Sequence, residues 1–229
     1  MSLVLYHKKT VGRERFELFY NTLESHEEAQ PTKLTNNGRI WEKKLFDIYS
    51  NLLKEDDVVI DVGAYIGTHT CSFSKCCPKG MVYTFEPNKE LYKTLLSNIE
   101  LNCLKNIRPY CLGVSNKHGY NTFYERPDGT SRINNNREIR GDPKSIECVA
   151  LDSFLPHITK CKLIKIDVEG HEFEVLDGMK QLIEKCKPHI LIEVFRNKRE
   201  KIKLWAEDHN YNLNWLRGDD FYLTPICKK

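Results

Sequence analysis

Two short stretches of the chain bring together side chains that could bind a ligand and carry out chemistry on it. In the first, VVIDVGAYIGTHT, a run of β-branched residues ends at Asp61, and Gly63 and Gly67 follow at a spacing of four. Glycine permits a tight turn and close approach of a ligand to the backbone. A helix that starts after such a turn also presents N–H groups without a helical partner. This stretch therefore predicts a ligand held against the backbone at the end of a strand.

The same pattern excludes two common phosphate sites. A Walker loop requires Gly-Lys-Ser or Gly-Lys-Thr, and neither triplet occurs in the sequence. A dinucleotide fingerprint requires glycines at two positions where this chain has Tyr65 and Thr68. The ligand expected here therefore lacks a pyrophosphate.

A carboxylate at the end of the next predicted strand indicates what the ligand is. Glu86 lies 25 residues after Asp61, close to the interval at which an acid in a strand–helix–strand unit accepts both hydroxyls of a ribose. Each acid also has a simpler interpretation: Glu86 could cap the next helix, and Asp61 could cap the glycine turn. A nucleoside without phosphates, beside an acid that can pair with an ammonium group, predicts S-adenosylmethionine. The residues expected to bind it are Asp61, Gly63, Ala64, Tyr65, Gly67, Thr68, Glu86 and Pro87.

The second stretch, LIKIDVEGHEFEVLDG, crowds ionisable side chains into one strand end and the start of the next helix: Lys165, Asp167, Glu169, His171 and Glu172. Alternation along a strand places Lys165 and Asp167 on the same side. Charged groups at such a place are costly unless they are paired or functional. Glu169 and Glu172 have a second interpretation, in which they only complement the helix N-terminus. The cluster predicts acid–base chemistry beside the ligand.

The elements that must position these stretches alternate along the chain. Nearly continuous apolar strands followed by helices predict an α/β fold, with a parallel sheet covered on both faces. Ligands bind such sheets beyond the carboxyl ends of the strands, where the strand order reverses. We expect helices at 13–25, 40–53, 68–76, 89–102 and 171–186, a third strand at 107–115, and a hairpin with a polar loop at 116–145. Residues 1–40 are predicted to be an N-terminal appendage and linker, and residues 41–229 the catalytic domain.

In five ordered segments the chain resembles the FkbM family of S-adenosylmethionine-dependent methyltransferases. The segments are DVGAYIGTHT, FEPNKELYKTLLSNIELN, LDSFL, KIDVEGHEFEVLDG and PHILIEVF, and the resemblance runs over about residues 57–195. It implies a Rossmann-like methyltransferase fold: a seven-stranded, mostly parallel sheet with an antiparallel last strand and helices on both faces. It also implies methyl transfer to a hydroxyl, commonly of a sugar or a polyketide-like product. The chain departs from the family at Tyr65, where the family often has asparagine, and at 116–145.

Methylation of a hydroxyl assigns roles to the acidic cluster. An alcohol is a poor nucleophile, so a general base accelerates the transfer. Asp167 is the first candidate for the base or for a group that orients the acceptor, and His171 is the second because its ordinary pKa of about 6.5 suits proton transfer. The predicted catalytic set is Asp167, Lys165, His171 and Glu169, and the predicted acceptor contacts are Glu193 and Glu172. Carboxylate oxygens also suit Mg²⁺, but no metal is predicted.

The polar loop after the third strand is a further region where an acceptor could be bound. It carries several amides and guanidinium groups: Arg132, Asn134, Asn135, Asn136, Arg137 and Arg140. We expect these residues either to contact the acceptor or to belong to a lid over the site.

Composition favours an ordinary enzyme domain and leaves two alternatives open. The chain of 229 residues is 40% hydrophobic and 29% charged, and its net charge of +3 is too small to indicate nucleic acid by itself. It begins without a signal-peptide pattern and has no run as long as a membrane span, so we expect a cytoplasmic protein. An RNA methyltransferase is the first alternative, suggested by RNKREKIK but without an RNA-binding aromatic motif. A non-catalytic cofactor-binding scaffold is the second, and the acidic cluster argues against it.

Overall fold

The computed structural model describes residues 5–11, 14–22, 42–126, 131–133 and 142–226. The strands, in chain order, are β1 (Leu5–Val11), β2 (Glu14–Tyr20), β3 (Val58–Val62), β4 (Met81–Phe85), β5 (Ile107–Tyr110), β6 (Gly113–Val114), β7 (Gly119–Glu125), β8 (Arg132–Ile133), β9 (Asp142–Val149), β10 (Leu163–Ile166), β11 (His189–Glu193), β12 (Tyr211–Arg217) and β13 (Asp220–Pro225). The α-helices are α1 (Lys43–Leu52), α2 (Thr68–Cys76), α3 (Lys89–Leu101), α4 (Glu172–Asp177), α5 (Lys180–Cys186) and α6 (Arg199–Asp208). Short 3₁₀ helices lie at Leu151–Phe154 and Arg196–Lys198.

The main sheet determines where a ligand can bind. Seven described strands form it, in the order β12-β13-β11-β10-β3-β4-β5. Neighbours from β11 to β5 run parallel, whereas β13 runs antiparallel to both β11 and β12. The chain moves outwards from β3 to β5 and then returns to the other side of β3 with β10. The strand order thus reverses between β3 and β10, where such a sheet opens a crevice, and the predicted α/β Rossmann-like fold is confirmed.

Helices cover both faces of this sheet. The side chains of Val59 and Ile60 in β3 are fully buried and point to opposite faces. Ile60 belongs to an apolar cluster that includes Leu176 of α4. Val59 belongs to a second cluster with Tyr49 of α1 and Phe73 of α2. The apolar run in β3 therefore buries side chains on both faces of the sheet, as a parallel sheet covered by helices on both sides requires.

A small second sheet lies between β5 and β10 in the chain, in the order β6-β9-β7-β8. The predicted third strand, 107–115, is divided between the two sheets, because Gly113 and Val114 pair with β9 and not with β4. Phe123 and Ile133 form the buried centre of this small sheet together with Cys148. The hairpin predicted in 116–145 is therefore part of a four-stranded sheet, which also includes residues before and after that range.

The helix predicted at 13–25 is wrong. Residues Glu14–Tyr20 form β2, which pairs antiparallel with β1. Leu18 and Tyr20 are buried against Cys71 of α2, so the apolar residues follow the two-residue period of a strand. Asn102, which directly follows α3, holds this strand in place, because its side chain exchanges hydrogen bonds of 2.8 and 2.7 Å with the backbone of Phe19. The predicted linker residues after 22 lie outside the described part of the chain.

The helix predicted at 171–186 is two helices, α4 and α5, separated at Gly178 and Met179. A β-carbon on Gly178 would lie 2.1 Å from the carbonyl oxygen of Ser115. The break therefore lets the backbone pass close to the strand end at Ser115, a tertiary contact that overrides the helical period. The helices predicted at 40–53, 68–76 and 89–102 correspond to α1, α2 and α3, although Trp41 lies outside the described residues.

Among the described helices, none has both the length and the apolar composition required to cross a lipid bilayer.

Candidate active site

A cavity of about 280 Å³ opens at the carboxyl ends of β3, β4 and β10. Seven of the eight predicted cofactor-binding residues line it: Asp61, Gly63, Ala64, Tyr65, Thr68, Glu86 and Pro87. Of the predicted catalytic and acceptor residues, Lys165, Asp167, Glu169 and Glu193 line it as well. Both stretches singled out in the sequence therefore meet at one cavity, at the point where the strand order reverses.

The two glycines of the first stretch are required by the protein itself. Both have left-handed backbones, with φ of +82° at Gly63 and +89° at Gly67. A β-carbon on Gly63 would lie 1.7 Å from the carbonyl oxygen of Asp167, and one on Gly67 would lie 2.5 Å from Cδ1 of Leu95. The prediction attributed these glycines to a ligand against the backbone. The structure gives a different cause, since the missing side chains admit the end of β10 and helix α3, and Gly67 does not line the cavity.

The N–H groups of the loop are largely used inside the protein. Gly63 and Ala64 both donate to the carbonyl oxygen of Phe85, at 3.0 and 3.1 Å, and Gly67 donates to Ala64 at 2.9 Å. These groups hold the loop against the end of β4 and cannot serve a ligand without breaking that contact. The first turn of α2, which begins at Thr68, still presents N–H groups that no preceding carbonyl of the helix can accept.

Glu86 is positioned as an acceptor at the cavity wall. Its carboxylate is 5% exposed and accepts the N–H groups of Tyr65 and Asn88, each at 2.8 Å. Helix α3 is capped by the side chain of Asn88, which accepts from Glu90 and Leu91, so the capping role does not depend on Glu86. Burial raises the pKa of Glu86 to about 8, against the two N–H donors that lower it. The remaining lone pairs of a buried, cavity-lining carboxylate suit the hydroxyls of a ribose.

Asp61 has one satisfied oxygen and one without a partner. Oδ2 accepts the hydroxyl of Thr70 at 2.6 Å, and that hydroxyl also lies 3.0 Å from Oγ1 of Thr84. Oδ1 is buried and has no hydrogen-bond partner within the described part of the protein. Burial raises the pKa of Asp61 even though Lys165 and Thr70 oppose the change. A buried polar atom of this kind calls for a donor, and the ammonium group of an amino acid would supply one.

Lys165, Asp167 and Glu193 form a charge cluster in the cavity wall, in which Lys165 is buried and the two acids are half-buried. Nζ of Lys165 donates to Oδ2 of Asp167 at 2.9 Å. Burial alone would lower the pKa of Lys165, but Asp167, Glu42 and Asp61 together raise it. Burial likewise opposes ionisation of Asp167, yet Lys165 and a hydrogen bond from Glu193 lower its pKa. The charge of Asp167, followed by burial, raises the pKa of Glu193 to about 10. The two pKa values shift in opposite directions, so a proton shared by this pair favours Glu193 and the negative charge favours Asp167.

Three carboxyl groups in this cluster are close enough to share a ligand. Oxygens of Asp167, Glu169 and Glu193 lie within 4.8 Å of one another, a donor set that suits a hard cation such as Mg²⁺. Lys165 already neutralises Asp167, however, and Glu193 holds a proton. A divalent ion would have to displace both positive partners, so this donor set fits the lysine and the proton better than a metal.

Two ionisable residues of the cavity were not found from the sequence. Glu42 and His69 line it, and Nε2 of His69 lies 2.9 Å from Oε2 of Glu42. Nδ1 of His69 lies 3.4 Å from the hydroxyl of Tyr49, so the ring is held on both sides. Glu42 falls in the predicted helix 40–53, which gave no reason to orient it inwards. The available sequence signal that His69 belongs to the site was its position two residues after Gly67.

His171 and Glu172 do not line the cavity, and this corrects the roles predicted for them. Nε2 of His171 lies 2.9 Å from the hydroxyl of Ser115, and burial lowers the pKa of the ring. Glu172 is 1% exposed and accepts the N–H of Gly170, with Lys198 at 3.5 Å on its other side. Both side chains hold the start of α4. A catalytic role for His171 and an acceptor contact for Glu172 therefore have no geometric support.

The polar loop contributes less to the site than predicted within the described residues. Ser131 and Ile133 line the cavity, whereas Arg132 between them does not. The asparagines and arginines predicted at 134–140 lie outside the described part of the chain.

Known proteins with similar sequences include methyltransferases that are named for sugar acceptors or O-methylation. The chain is 31% identical to the hexuronic acid methyltransferase AglP of Haloferax volcanii over 146 residues, which are 62% of this chain and 57% of AglP. It is 25% identical to the 2-O-methyltransferase NoeI of Sinorhizobium fredii over 158 residues, 61% of this chain and 64% of NoeI. The matched region spans less than two thirds of either relative.

Solved structures with a similar fold include a methyltransferase FkbM from Methylobacillus flagellatus KT. It has a TM-score of 0.56 at 18% identity, over 75% of this chain and 44% of that one. A Streptococcus mutans protein solved in complex with SAH has a TM-score of 0.51 at 12% identity, over 79% and 94%. At these identities the likeness shows the fold alone.

The family assignment rests on a direct match of the sequence. The model of the methyltransferase FkbM domain matches residues 61–221, well over half of the chain. This range includes Asp61, Glu86 and the whole second stretch, and it confirms the resemblance drawn from the five segments. The chain belongs to the FkbM family of methyltransferases.

Proposed function

We propose that this methyltransferase transfers a methyl group from S-adenosylmethionine to a hydroxyl of a sugar or glycan. The observation that carries the proposal is the cavity itself, which is lined by Asp61 and Glu86, both suited to a nucleoside, and by Asp167, whose pKa is lowered beside Lys165. Apolar side chains in the lining, among them Leu91 and Phe123, suit the adenine ring. Support for a sugar acceptor comes from AglP and NoeI, whose names specify a hexuronic acid and 2-O-methylation.

The residues of the chain divide the work of such a transfer. When bound, S-adenosylmethionine supplies a methyl group on a positively charged sulfur. Asp167 accepts a hydrogen bond from the acceptor hydroxyl and takes its proton. Lys165 keeps Asp167 ionised and fixes its orientation through the 2.9 Å contact. The proton of Glu193 is directed to Asp167, so its other oxygen can accept a hydrogen bond from a neighbouring hydroxyl of the acceptor.

The low pKa of Asp167 is compatible with this role. A carboxylate that is hard to protonate removes a proton poorly from a free alcohol. The acceptor hydroxyl becomes strongly acidic only as its oxygen forms the new bond to carbon and gains positive charge. A weak base in the correct position is then sufficient, and its permanent negative charge stabilises the charge that develops on the oxygen.

The test of the proposed function is formation of S-adenosylhomocysteine from purified protein, S-adenosylmethionine and a panel of methyl glycosides. We expect acceptor-dependent turnover and a methyl ether in the product, identified by mass spectrometry and NMR. The panel should also include a structured RNA. Methylation of RNA with no methylation of any glycoside would overturn the proposal.

Two of the five basic residues in the stretch that suggested RNA, Lys198 and Arg199, are engaged within the protein. Lys198 donates to the carbonyl oxygen of Gly170 at 2.5 Å and lies 3.5 Å from Glu172. Arg199 pairs with Asp219 at 3.1 Å. Side chains committed in this way provide little free charge for phosphates, so we do not propose an RNA substrate.

Glu86 leads to a prediction about pH. If ribose hydroxyls donate to this side chain, binding favours its carboxylate, whose pKa burial raises to about 8 in the ligand-free protein. The association constant for S-adenosylhomocysteine should then rise by up to about tenfold per pH unit below that value and level off above it. Calorimetric titrations between pH 6 and pH 9 measure this dependence.

Glu86→Gln is the matched control for that titration, since glutamine can accept hydrogen bonds but does not ionise. Its affinity should retain only the pH dependence contributed by the cofactor's own amino group. If the affinity for S-adenosylhomocysteine depends on pH in the same way in the unmodified protein and in Glu86→Gln, the ribose is bound elsewhere.

The raised pKa of Glu86 also predicts an effect on stability. The contribution of Glu86 to stability is lost as the pH rises from 4.5 through about 8, so the ligand-free protein should become less stable over that range.

A further inference from the structure

We propose that the acceptor end of the cavity selects an uncharged or amine-bearing sugar and rejects one that carries a carboxylate or phosphate. This inference rests on the proposed function and specifies its substrate class. It separates the chain from the hexuronic acid methyltransferase that it resembles in sequence, because that protein's name specifies an acidic sugar.

The charges of the described cavity-lining residues are the first argument. Asp61 and Glu86 belong to the end proposed for the cofactor. The remaining end contains the carboxyl groups of Glu42, Asp167, Glu169 and Glu193, and the one lysine or arginine among the described lining residues is Lys165. Even with a proton on Glu193, and with Glu169 left out of the count, the carboxyl groups of Glu42 and Asp167 face one ammonium group. An additional negative charge would enter a site that already has a negative excess.

The lysine that could compensate an acidic acceptor is already committed. Its side chain is 4% exposed, and Nζ is bonded to Asp167 at 2.9 Å. The negative charges of Asp167, Glu42 and Asp61 together raise the pKa of Lys165. A carboxylate on the acceptor would have to displace Asp167 from Lys165. That exchange would remove the support of the proposed base, so binding an acid and activating a hydroxyl are in conflict here.

Glu42 adds to this selectivity from outside the matched family domain, which begins at residue 61. It lies at the start of α1, has a side chain that is 9% exposed, and contacts His69, also of the lining. A positive charge on the His69 ring would be offset by the Glu42 carboxylate beside it. This histidine would therefore attract an acidic acceptor only weakly. The cavity wall contributed by the N-terminal part of the chain therefore increases the negative excess.

A separate observation shows that the cavity wall contains an acceptor that requires a hydrogen-bond donor. Oδ1 of Asp61 is buried in the lining without a partner in the described part of the chain. An unpaired carboxylate oxygen is satisfied by a donor, and an anion would leave it unsatisfied. The same electrostatic field that favours the ammonium and sulfonium groups of the cofactor disfavours an acidic acceptor next to them.

The test uses three acceptors with the same ring: methyl glucoside, its 2-amino analogue and methyl glucuronide. Turnover is measured as S-adenosylhomocysteine formation by the full chain at pH 7. We expect the glucuronide to have a kcat/KM lower than that of the glucoside by about tenfold or more, because like charges oppose its binding. The amino analogue should match or exceed the glucoside. A glucuronide that is used as well as the glucoside would overturn the inference.

Glu42→Gln should bring the ratio of kcat/KM for the glucoside to kcat/KM for the glucuronide closer to one, because it removes one negative charge and retains a side chain of the same shape. Glu90→Gln makes the same change at an exposed position on α3 and should leave the ratio as it is in the unmodified protein. If both variants leave the ratio unchanged, Glu42 has no part in the selectivity.

Failure of the proposed function can be distinguished from failure of this inference. If none of the three sugars is methylated, the proposed function is wrong in its acceptor, and charge selectivity is then determined by calorimetry on protein saturated with S-adenosylhomocysteine. Weaker binding of the glucuronide than of the other two sugars would still support the charge argument. Equal or tighter binding of the glucuronide, or no binding of any of them, would refute it.

Discussion

Asp167→Asn should lower kcat by about 10²–10⁴-fold, which is the usual contribution of a general base. Asparagine has nearly the same shape, so the end of β10 should keep its conformation. The amide cannot accept a proton from the acceptor, and it carries no charge to stabilise the oxygen as the new bond forms. The dissociation constant for S-adenosylhomocysteine should change little, because Asp167 lies at the end of the cavity away from Glu86 in the proposed arrangement. Stopped assays and calorimetry measure the two effects.

The cluster around Asp167 makes a second expectation about this variant. The charge of Asp167 is the largest cause of the raised pKa of Glu193. Once that charge is removed, Glu193 should ionise more readily and can substitute in part as the carboxylate near Lys165. Residual activity of Asp167→Asn should therefore increase with pH, and the double variant with Glu193→Gln should lose this residual activity.

Asp177→Asn is the matched control, since it makes the same chemical change at an exposed position on α4. Its kcat should equal that of the unmodified protein. Loss of cofactor affinity in Asp167→Asn, at unchanged stability, would contradict the assignment of Asp167 to the acceptor. An unchanged kcat would show that another group takes the proton.

The strands and the position of the cavity could be predicted because their causes are local. A run such as 58–62 is apolar on both faces, and only a doubly covered sheet accommodates it. A loop that follows such a strand lies at the ligand-binding edge in any parallel sheet. Asp61, Glu86 and Asp167 each end a strand or follow one directly, so they meet once the strands are aligned.

The pairing of Asp167 with Glu193 could not be derived in the same way. These side chains lie 26 positions apart in the sequence and belong to different strands. They are neighbours because β10 and β11 pair in parallel with Ile166 opposite Ile192, which places the two acids side by side at the next position. Strand register is a property of the folded sheet, and the sequence pattern leaves it open.

Errors in the prediction have a common physical origin in contacts between distant segments. The helix predicted at 171–186 is interrupted because α4 and α5 pass Ser115, and His171 is turned towards that residue and away from the cavity. Helical periodicity identifies a buried face but does not specify which neighbour the face meets. The sequence also did not reveal the second cause for Gly63, since the contact that excludes a side chain there comes from the end of β10.

Gly63→Ala should therefore destabilise the ligand-free protein by more than about 3 kcal/mol, or prevent folding. The new methyl group would lie 1.7 Å from the carbonyl oxygen of Asp167, and the left-handed φ of +82° adds strain. Relief of the clash would require β3 and β10 to separate at the centre of the sheet. Urea denaturation followed by circular dichroism measures the loss, and the effect should be present without any cofactor.

Gly218→Ala separates the two contributions to that loss. Gly218 also has a left-handed φ, of +55°, but no heavy atom lies within 4 Å of where its β-carbon would be. This variant should cost only about 1–2 kcal/mol, the strain of the backbone alone. If Gly63→Ala is as stable as Gly218→Ala and loses only cofactor binding, the glycine serves the ligand and not the contact with β10. A loss of stability much larger than that of Gly218→Ala, with or without cofactor, would show that the glycine joins the two central strands and so sets the distance between the cofactor loop and Asp167.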